Sequence, residues 1–355
     1  ANGQDVADLD YLLENVAIAT VADVMDLTEE NRILVKQGLE MLKRTSNLGL
    51  RALIQCIGLE GKKIQAYHIG FILAPCLNAS GKLDTAKRAL ALLRAKTERE
   101  ADMLAGDLKA LNESRRDMTD RVVDEAMAKV EQTDIRGDKV LVIYLPDCHE
   151  SLAGLVAGRV RENYYRPVFV LTDSEDGVKG SGRSIESYSM YEELTGCGDL
   201  LTKFGGHPMA AGLSLDKENV EKFKRRLNDQ CTLSEEELTE KVVIDMELPF
   251  AAITEQFIEE LEYMEPFGKG NTKPVFAARG VVMQHVKIIG KNKNVAKATA
   301  IDAAGNRMEA ICFHDAQEFA KQCERNNGKM SITFYPGINE FRGERQIQIV
   351  ITHYR

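Results

Sequence analysis

Residues 138–174 constrain the fold more than any other part of the chain. An apolar run, DKVLVIYLP (138–146), is followed by a helix-patterned stretch, SLAGLVAGRVRENY (151–164), and then by a second apolar run, RPVFVLTDS (166–174). Two short buried runs flanking a helix read as a βαβ unit, with parallel strands and a right-handed crossover. GVKGSGRSI (177–185) continues as a third strand with glycine interruptions. A helix, the glycine-rich loop within LLTKFGGHPMAAGLSL (200–215), a strand AAGLSL (210–215) and a helix KENVEKFKRRLND (217–229) complete a compact α/β domain, assigned to residues 136–232.

The texture differs on either side. Upstream, YLLENVAIATVADVMDL (11–27) reads as a buried strand or helix from the middle of a domain. TEENRILVKQGLEMLKRT (28–45) has Ile33, Leu34, Leu39 and Leu42 near helical spacing, and SNLGLRALIQCIGL (46–59) reads as a second helix. Residues 82–132 lack proline and are dense in Ala, Leu, Glu, Lys and Arg, which predicts one or two long connector helices over 82–135. Downstream of CTLSEEELTEK (231–241), read as an acidic linker, five or so β-rich runs and one short helix (315–325) predict a small Greek-key barrel such as the OB-fold over 241–355.

The formal net charge is −9. Bulk electrostatics therefore do not attract a polyanion, and any contact with nucleic acid must use local basic patches. Residues 241–355 hold 15 Lys+Arg against 14 Asp+Glu, so the acid is concentrated in the first 240 residues. Seven cysteines without a CxxC pair argue against a disulfide framework or structural zinc and fit a reducing cytoplasm. No apolar run is long enough for a membrane helix.

Three clusters could carry chemistry. Cys148-His149-Glu150 joins a strand to a helix, the position where parallel α/β units bind ligands and where backbone N–H groups favour anions. The plainer reading is that His149 and Glu150 cap the helix. In GSGRSI (180–185), two glycines flank Ser181, and Arg183 offers a fork for phosphate; a bulged strand with a surface arginine is the alternative. In FGGHPMAAG (204–212), Gly205 and Gly206 permit close backbone approach beside His207.

These three motifs resemble the DHHA1 domain of the DHH phosphoesterase superfamily. The upstream stretches AIATVADVMDLTEENRILVKQGL and AYHIGFILAPCLNASGKLDTA are similar to those of the RecJ single-strand DNA exonucleases, and the β-rich tail resembles their OB domain. The resemblance implies four parts: a remnant of a DHH domain over 1–81, connector helices over 82–135, the DHHA1 domain and the OB barrel. It implies a Mn²⁺ or Mg²⁺ pair, of whose ligands Asp23 in TVADV is matched here, whereas no DHH triplet occurs. The chain then reads as the C-terminal portion of such an enzyme, inactive by itself. His207 and Arg183 are implied as the catalytic phosphate-holding pair. Contacts to the strand are implied for His149, Glu150, Ser181, Gly206 and, in a loop at 75–82, Asn78, Ser80 and Lys82.

The barrel should grip single-stranded DNA through a basic groove with modest aromatic stacking. The candidates are Lys287, Lys291, Lys293, Lys297, Phe341 and Arg342. Expected partners are single-stranded DNA, single-strand-binding protein and a helicase, with no membrane. The implied activity is 5′→3′ single-strand DNA exonuclease in repair and recombination. The competing expectation is a non-catalytic single-strand-binding or replication adaptor on the same scaffold.

Overall fold

The computed structural model describes residues 11–355 apart from 84, 85, 291, 314 and 342, and without the side chains of 80–83 and 341. In chain order the helices α1 (Leu13–Ala22), α2 (Glu29–Leu42), α3 (Leu48–Cys56) and α4 (Ala66–His68) lead through a π-helical turn, Ile69–Leu73, into α5 (Ala74–Leu83). Then come α6 (Lys87–Leu93) and the long α7 (Glu98–Gln132). The α/β domain follows as β1 (Leu141–Tyr144), α8 (Glu150–Tyr164), β2 (Val168–Ser174), β3 (Gly177–Arg183), α9 (Met190–Gly196), β4 (Leu201–His207), β5 (Ala210–Leu215) and α10 (Val220–Gln230). The last part contains β6 (Met246–Glu247), α11 (Glu255–Glu262), β7 (Phe276–Ile289), β8 (Val295–Ile301), β9 (Arg307–Cys312), α12 (Ala316–Arg325), β10 (Lys329–Phe341) and β11 (Glu344–Tyr354).

The chain divides into two compact units. One gathers the chain through Thr45, Gly61–Ile72 and Val242–Arg355; the other gathers Ser46–Glu60 and Leu73–Lys241. The stretch expected as a single remnant over 1–81 is therefore shared between them.

In the first unit, α1 packs on α2 with Gly38 against the Leu13 carbonyl and Ala17, an approach that a side chain at Gly38 would block. The last five long strands form the expected closed barrel. The order β10-β11-β9-β8-β7 is closed by a β10–β7 pairing, and α12 lies between β9 and β10 in sequence. Phe250, Phe276, Phe319, Phe334 and Ile349 fill its core.

The second unit holds a five-stranded sheet of order β1-β2-β3-β5-β4. β1 and β2 are parallel, as the βαβ pattern requires, and the remaining pairings are antiparallel. One face carries Val168 and Val170 beneath Val156, Ala157 and Val160 of α8, with Val123, Ala126 and Val130 of α7 in the same cluster. The other face carries Phe169, Leu171, Val178, Leu213 and Leu215 against Phe223 and Leu227 of α10. The stretch read as an acidic linker is docked as far as Leu238. Leu233 and Leu238 are buried, and their carbonyls accept from Lys139 (2.6 Å) and Arg166 (2.7 Å).

Two expectations about local structure are corrected here. The glycine-rich stretch 200–215 is no loop but a β-hairpin, β4–β5, closed by Pro208-Met209. The stretch 75–82 lies within α5, which continues without a break from α4 through the π-helical turn Ile69–Leu73, and Pro75 falls just after that turn, where the regular i→i−4 ladder is already interrupted. Asn78 is therefore an exposed helical residue, and the side chains of Ser80 and Lys82 lie outside the described residues.

Candidate nucleic-acid interface

The register of the sheet decides which of the predicted residues meet. Arg183 on β3 pairs with Ala210 on β5, and Ala210 pairs with His207 on β4. Directly opposed residues share a face, so Arg183 and His207 point to the same side, two strand spacings or roughly 10 Å apart at the backbone. The next row on this face is Ser181–Gly212–Gly205, and the one after is Lys179–Ser214–Lys203. Helix α8 covers β2 and β3 on this side. Its Glu150 and Ala153 line, with Lys179, Ser181, Lys203, Gly205, Gly212 and Ser214, a trough of about 380 Å³.

The glycines divide by face. A side chain at Gly205 would meet nothing, and one at Gly212 only the Gly180 carbonyl at 3.9 Å, so these two form a bare floor. Gly180 and Gly182 point the other way. A Cβ there would lie 2.4 Å from Leu171 and 2.5 Å from Met190. They are small because the core packs onto them, not because a ligand approaches, which corrects the reading of the glycines around Ser181. Gly206 (φ +149°) also needs to be glycine for an internal reason: a Cβ would lie 2.4 Å from the Ala210 carbonyl. Its contribution is the tight hairpin that ends at His207.

The hairpin tip is anchored. Ser184 N–H donates to the Met209 carbonyl and Met190 N–H to the Pro208 carbonyl, both at 3.0 Å. His207 itself is exposed. Arg183 is half-buried, with its guanidinium 2.8 Å from the position a Cβ on Gly154 of α8 would occupy and one N–H bonded to the Gly182 carbonyl (2.8 Å). Burial, reinforced by nearby Arg161, holds the Arg183 guanidinium below the ordinary arginine value. The Nε of Arg161 is buried without a hydrogen-bond partner among the described residues. A dehydrated guanidinium beside a second cation is a strong demand for an anion.

The other predicted residues separate. His149 is the N-cap of α8, with Nδ1 accepting from Ser151 N–H at 3.2 Å, so its plainer reading is realised. Glu150 lies at the trough, but as the ion-pair partner of Lys179 (3.0 Å). Asp23 is exposed and follows a helix, not a strand. Among the described residues no three His, Cys, Asp or Glu side chains are grouped to hold a metal ion. On the barrel, Lys287 and Lys293 are exposed, whereas Lys297 is neutralised by Glu309 at 2.8 Å. Lys291, Arg342 and the side chain of Phe341 lie outside the described residues. Sequence reasoning missed Lys179, Lys203 and Ser214, which only strand register brings into one row.

Comparison with known proteins follows the same division. Residues 137–233 match the DHHA1 domain and residues 244–353 match the RecJ OB domain. The single-stranded-DNA-specific exonuclease RecJ of Bacillus subtilis is 35% identical over 346 residues, covering 96% of this chain and 44% of that protein. The chain belongs to the RecJ family. RecJ of Escherichia coli is 32% identical, with 98% of this chain and 61% of that protein covered. A crystal structure of RecJ from Thermus thermophilus in complex with Mg²⁺ superposes with a TM-score of 0.81 at 26% identity, over 98% of this chain and 52% of that one; another from the same organism is in complex with Mn²⁺. The chain thus spans between about two fifths and three fifths of the length of the curated RecJ proteins it matches. None of the seven cysteines is joined in a disulfide, and no helix among the described residues is long and apolar enough to cross a membrane.

Proposed function

We propose that this chain is the substrate-gripping part of a 5′→3′ single-stranded-DNA exonuclease that hydrolyses phosphodiester bonds in repair and recombination. The observation that carries this reading is the placement of His207 and Arg183 in one row of one sheet face, beside a floor of glycine. Arg183 supplies a fixed, partly dehydrated cation with a planar fork for two phosphate oxygens. His207, anchored by its hairpin, supplies a second donor from the edge strand. Together they hold and orient a backbone phosphate, and the side-chain-free floor lets the strand lie against the sheet. A divalent pair would activate the water for such hydrolysis. The residues described here do not make that site alone: Asp23 stands without companion ligands. The 355 residues by themselves should therefore bind single strands and, with Mn²⁺, leave them uncut.

The barrel adds weak, salt-sensitive attraction through Lys287 and Lys293. A helicase that exposes single strands and a single-strand-binding protein are the partner classes this reading expects, in the cytoplasm. The test is fluorescence anisotropy with labelled oligothymidylate. Arg183→Ala should weaken binding by about tenfold or more, and His207→Ala by a similar factor. Unchanged affinity in both variants would remove the sheet face from the interface. Mn²⁺-dependent cleavage by the chain alone would instead contradict the incomplete metal site.

A further inference from the structure

We infer that Lys203, Ser214 and Lys179 form a second phosphate subsite, which holds a phosphate further along the same strand, beyond the adjoining nucleotide, while the Arg183–His207 row holds the first. The inference rests on the proposed single-strand reading and extends it to residues that are not among the candidates read from the sequence.

Three observations support it. Register places the three residues side by side on the same face as Arg183 and His207, separated from them by the glycine-floored row. Each row along a strand adds about 6.7 Å, so the two polar rows stand roughly 13 Å apart with an open floor between them. An extended strand lying along this trough passes from one row to the other without meeting a side chain at Gly212 or Gly205. Second, Lys203 is exposed on the edge strand and has no ion-pair or hydrogen-bond partner among the described residues. In a chain of net charge −9, an unpaired lysine facing a trough is the strongest uncommitted attraction for an anion there. Third, Lys179 is held only by Glu150, in an ion pair whose side chains are 47% and 48% exposed. Exposed pairs of this kind contribute little, so an arriving phosphate can share the ammonium, which has three donors.

The same geometry assigns Glu150 an opposing role. Its carboxylate lines the trough at the lysine end and repels a phosphate while it competes for Lys179. Removing its charge should tighten binding, the reverse of what a residue contacting DNA favourably would show.

The experiment uses this chain with short oligothymidylates carrying one uncharged methylphosphonate linkage, moved through each position in turn. Anisotropy is read over a range of salt. For the unaltered chain, the linkages over the two polar rows should be the sensitive ones. Lys203→Ala should weaken the unmodified strand about tenfold at low salt, lower the salt-dependence slope by about 0.7, and make one sensitive linkage silent while the other stays sensitive. Glu150→Gln should bind roughly threefold tighter. The second subsite is overturned if Lys203→Ala leaves affinity, slope and linkage profile unchanged while His207→Ala still weakens binding. If both variants bind as the parent does, the single-strand reading of the sheet face falls with it. Looser binding by Glu150→Gln would contradict the repulsive role and reassign that carboxylate as a contact. Lys203 is exposed and unpartnered, so loss of folding, checked by circular dichroism, is not the expected route to any of these outcomes.

Discussion

The sheet of the α/β domain and the barrel both carry cations, but they organise them differently. On the sheet, Arg183 and Lys203 sit at fixed register positions, and the backbone between them is bare. On the barrel, Lys293 lies in the turn between β7 and β8 at φ +52°, and Lys287, which like Lys203 in β4 stands next to a register shift, is paired directly opposite another lysine, Lys297. The barrel lysine that is best fixed by strand pairing, Lys297, is spent on Glu309. Register can place a charge to within a strand spacing, whereas a turn only brings charge nearby. The sheet should therefore fix where a phosphate sits, and the barrel should add attraction that is indifferent to position and screened by salt.

The largest effect expected from that contrast is on the sheet. Arg183→Ala combined with Lys203→Ala should reduce oligothymidylate affinity by about a hundredfold. Lys287→Glu with Lys293→Glu should cost far less, and that loss should vanish at high salt. A comparable loss from both pairs, with equal salt dependence, would erase the distinction.

Next in size is the contrast between the glycines of the two sheet faces. Gly212→Val should fill the trough and weaken binding about tenfold through lost approach, while its thermal midpoint stays close to the parent's. Gly182→Ala should do the opposite. The added methyl meets Met190 and Phe169 at 2.5–2.7 Å, and overpacking of this kind costs about 1–3 kcal/mol. Paired melting and binding curves check both, and a destabilised Gly212→Val would mean that the floor is structural. The smallest effect is expected from Glu309→Gln, which frees Lys297 and should strengthen binding roughly twofold at low salt.

The same positions explain what was legible in the chain. The βαβ unit could be read because 138–174 alternates apolar runs with a helical pattern, and that pattern has few three-dimensional solutions. The barrel could be read because its strands are long, β-rich and separated by turn residues. The hairpin at 200–215 was hidden. Gly205, Gly206 and Pro208 carry turn chemistry, and the strand's alternation is lost when two of its side chains are absent. The stretch at 75–82 was hidden for the converse reason: Pro75, Asn78 and Gly81 suggest a turn, but the π-helical turn just before Pro75 lets the helix run on through it.

Within the proposed site, Arg183 and His207 were chosen from residue type and glycine neighbours, and the glycine part of that warrant was only half sound. Gly180 and Gly182 serve the core instead. Lys203 gave no local signal at all. It is one lysine between Thr202 and Phe204, and its value depends on β3, β5 and β4 lying in register, which no stretch of sequence states by itself. The ion pair of Glu150 was invisible for a related reason, since its partner Lys179 is 29 residues away.

The central claim is that Arg183 and His207 grip one and the same phosphate from the two sides of Ala210, in one row of the sheet face. A double-mutant cycle on oligothymidylate affinity tests it most directly. If both side chains hold one phosphate, the double variant Arg183→Ala/His207→Ala should lose clearly less than the sum of the two single losses, with a coupling of at least about 0.5 kcal/mol. Losses that simply add would put the two residues on separate partners, and no loss from either would take the strand off this face.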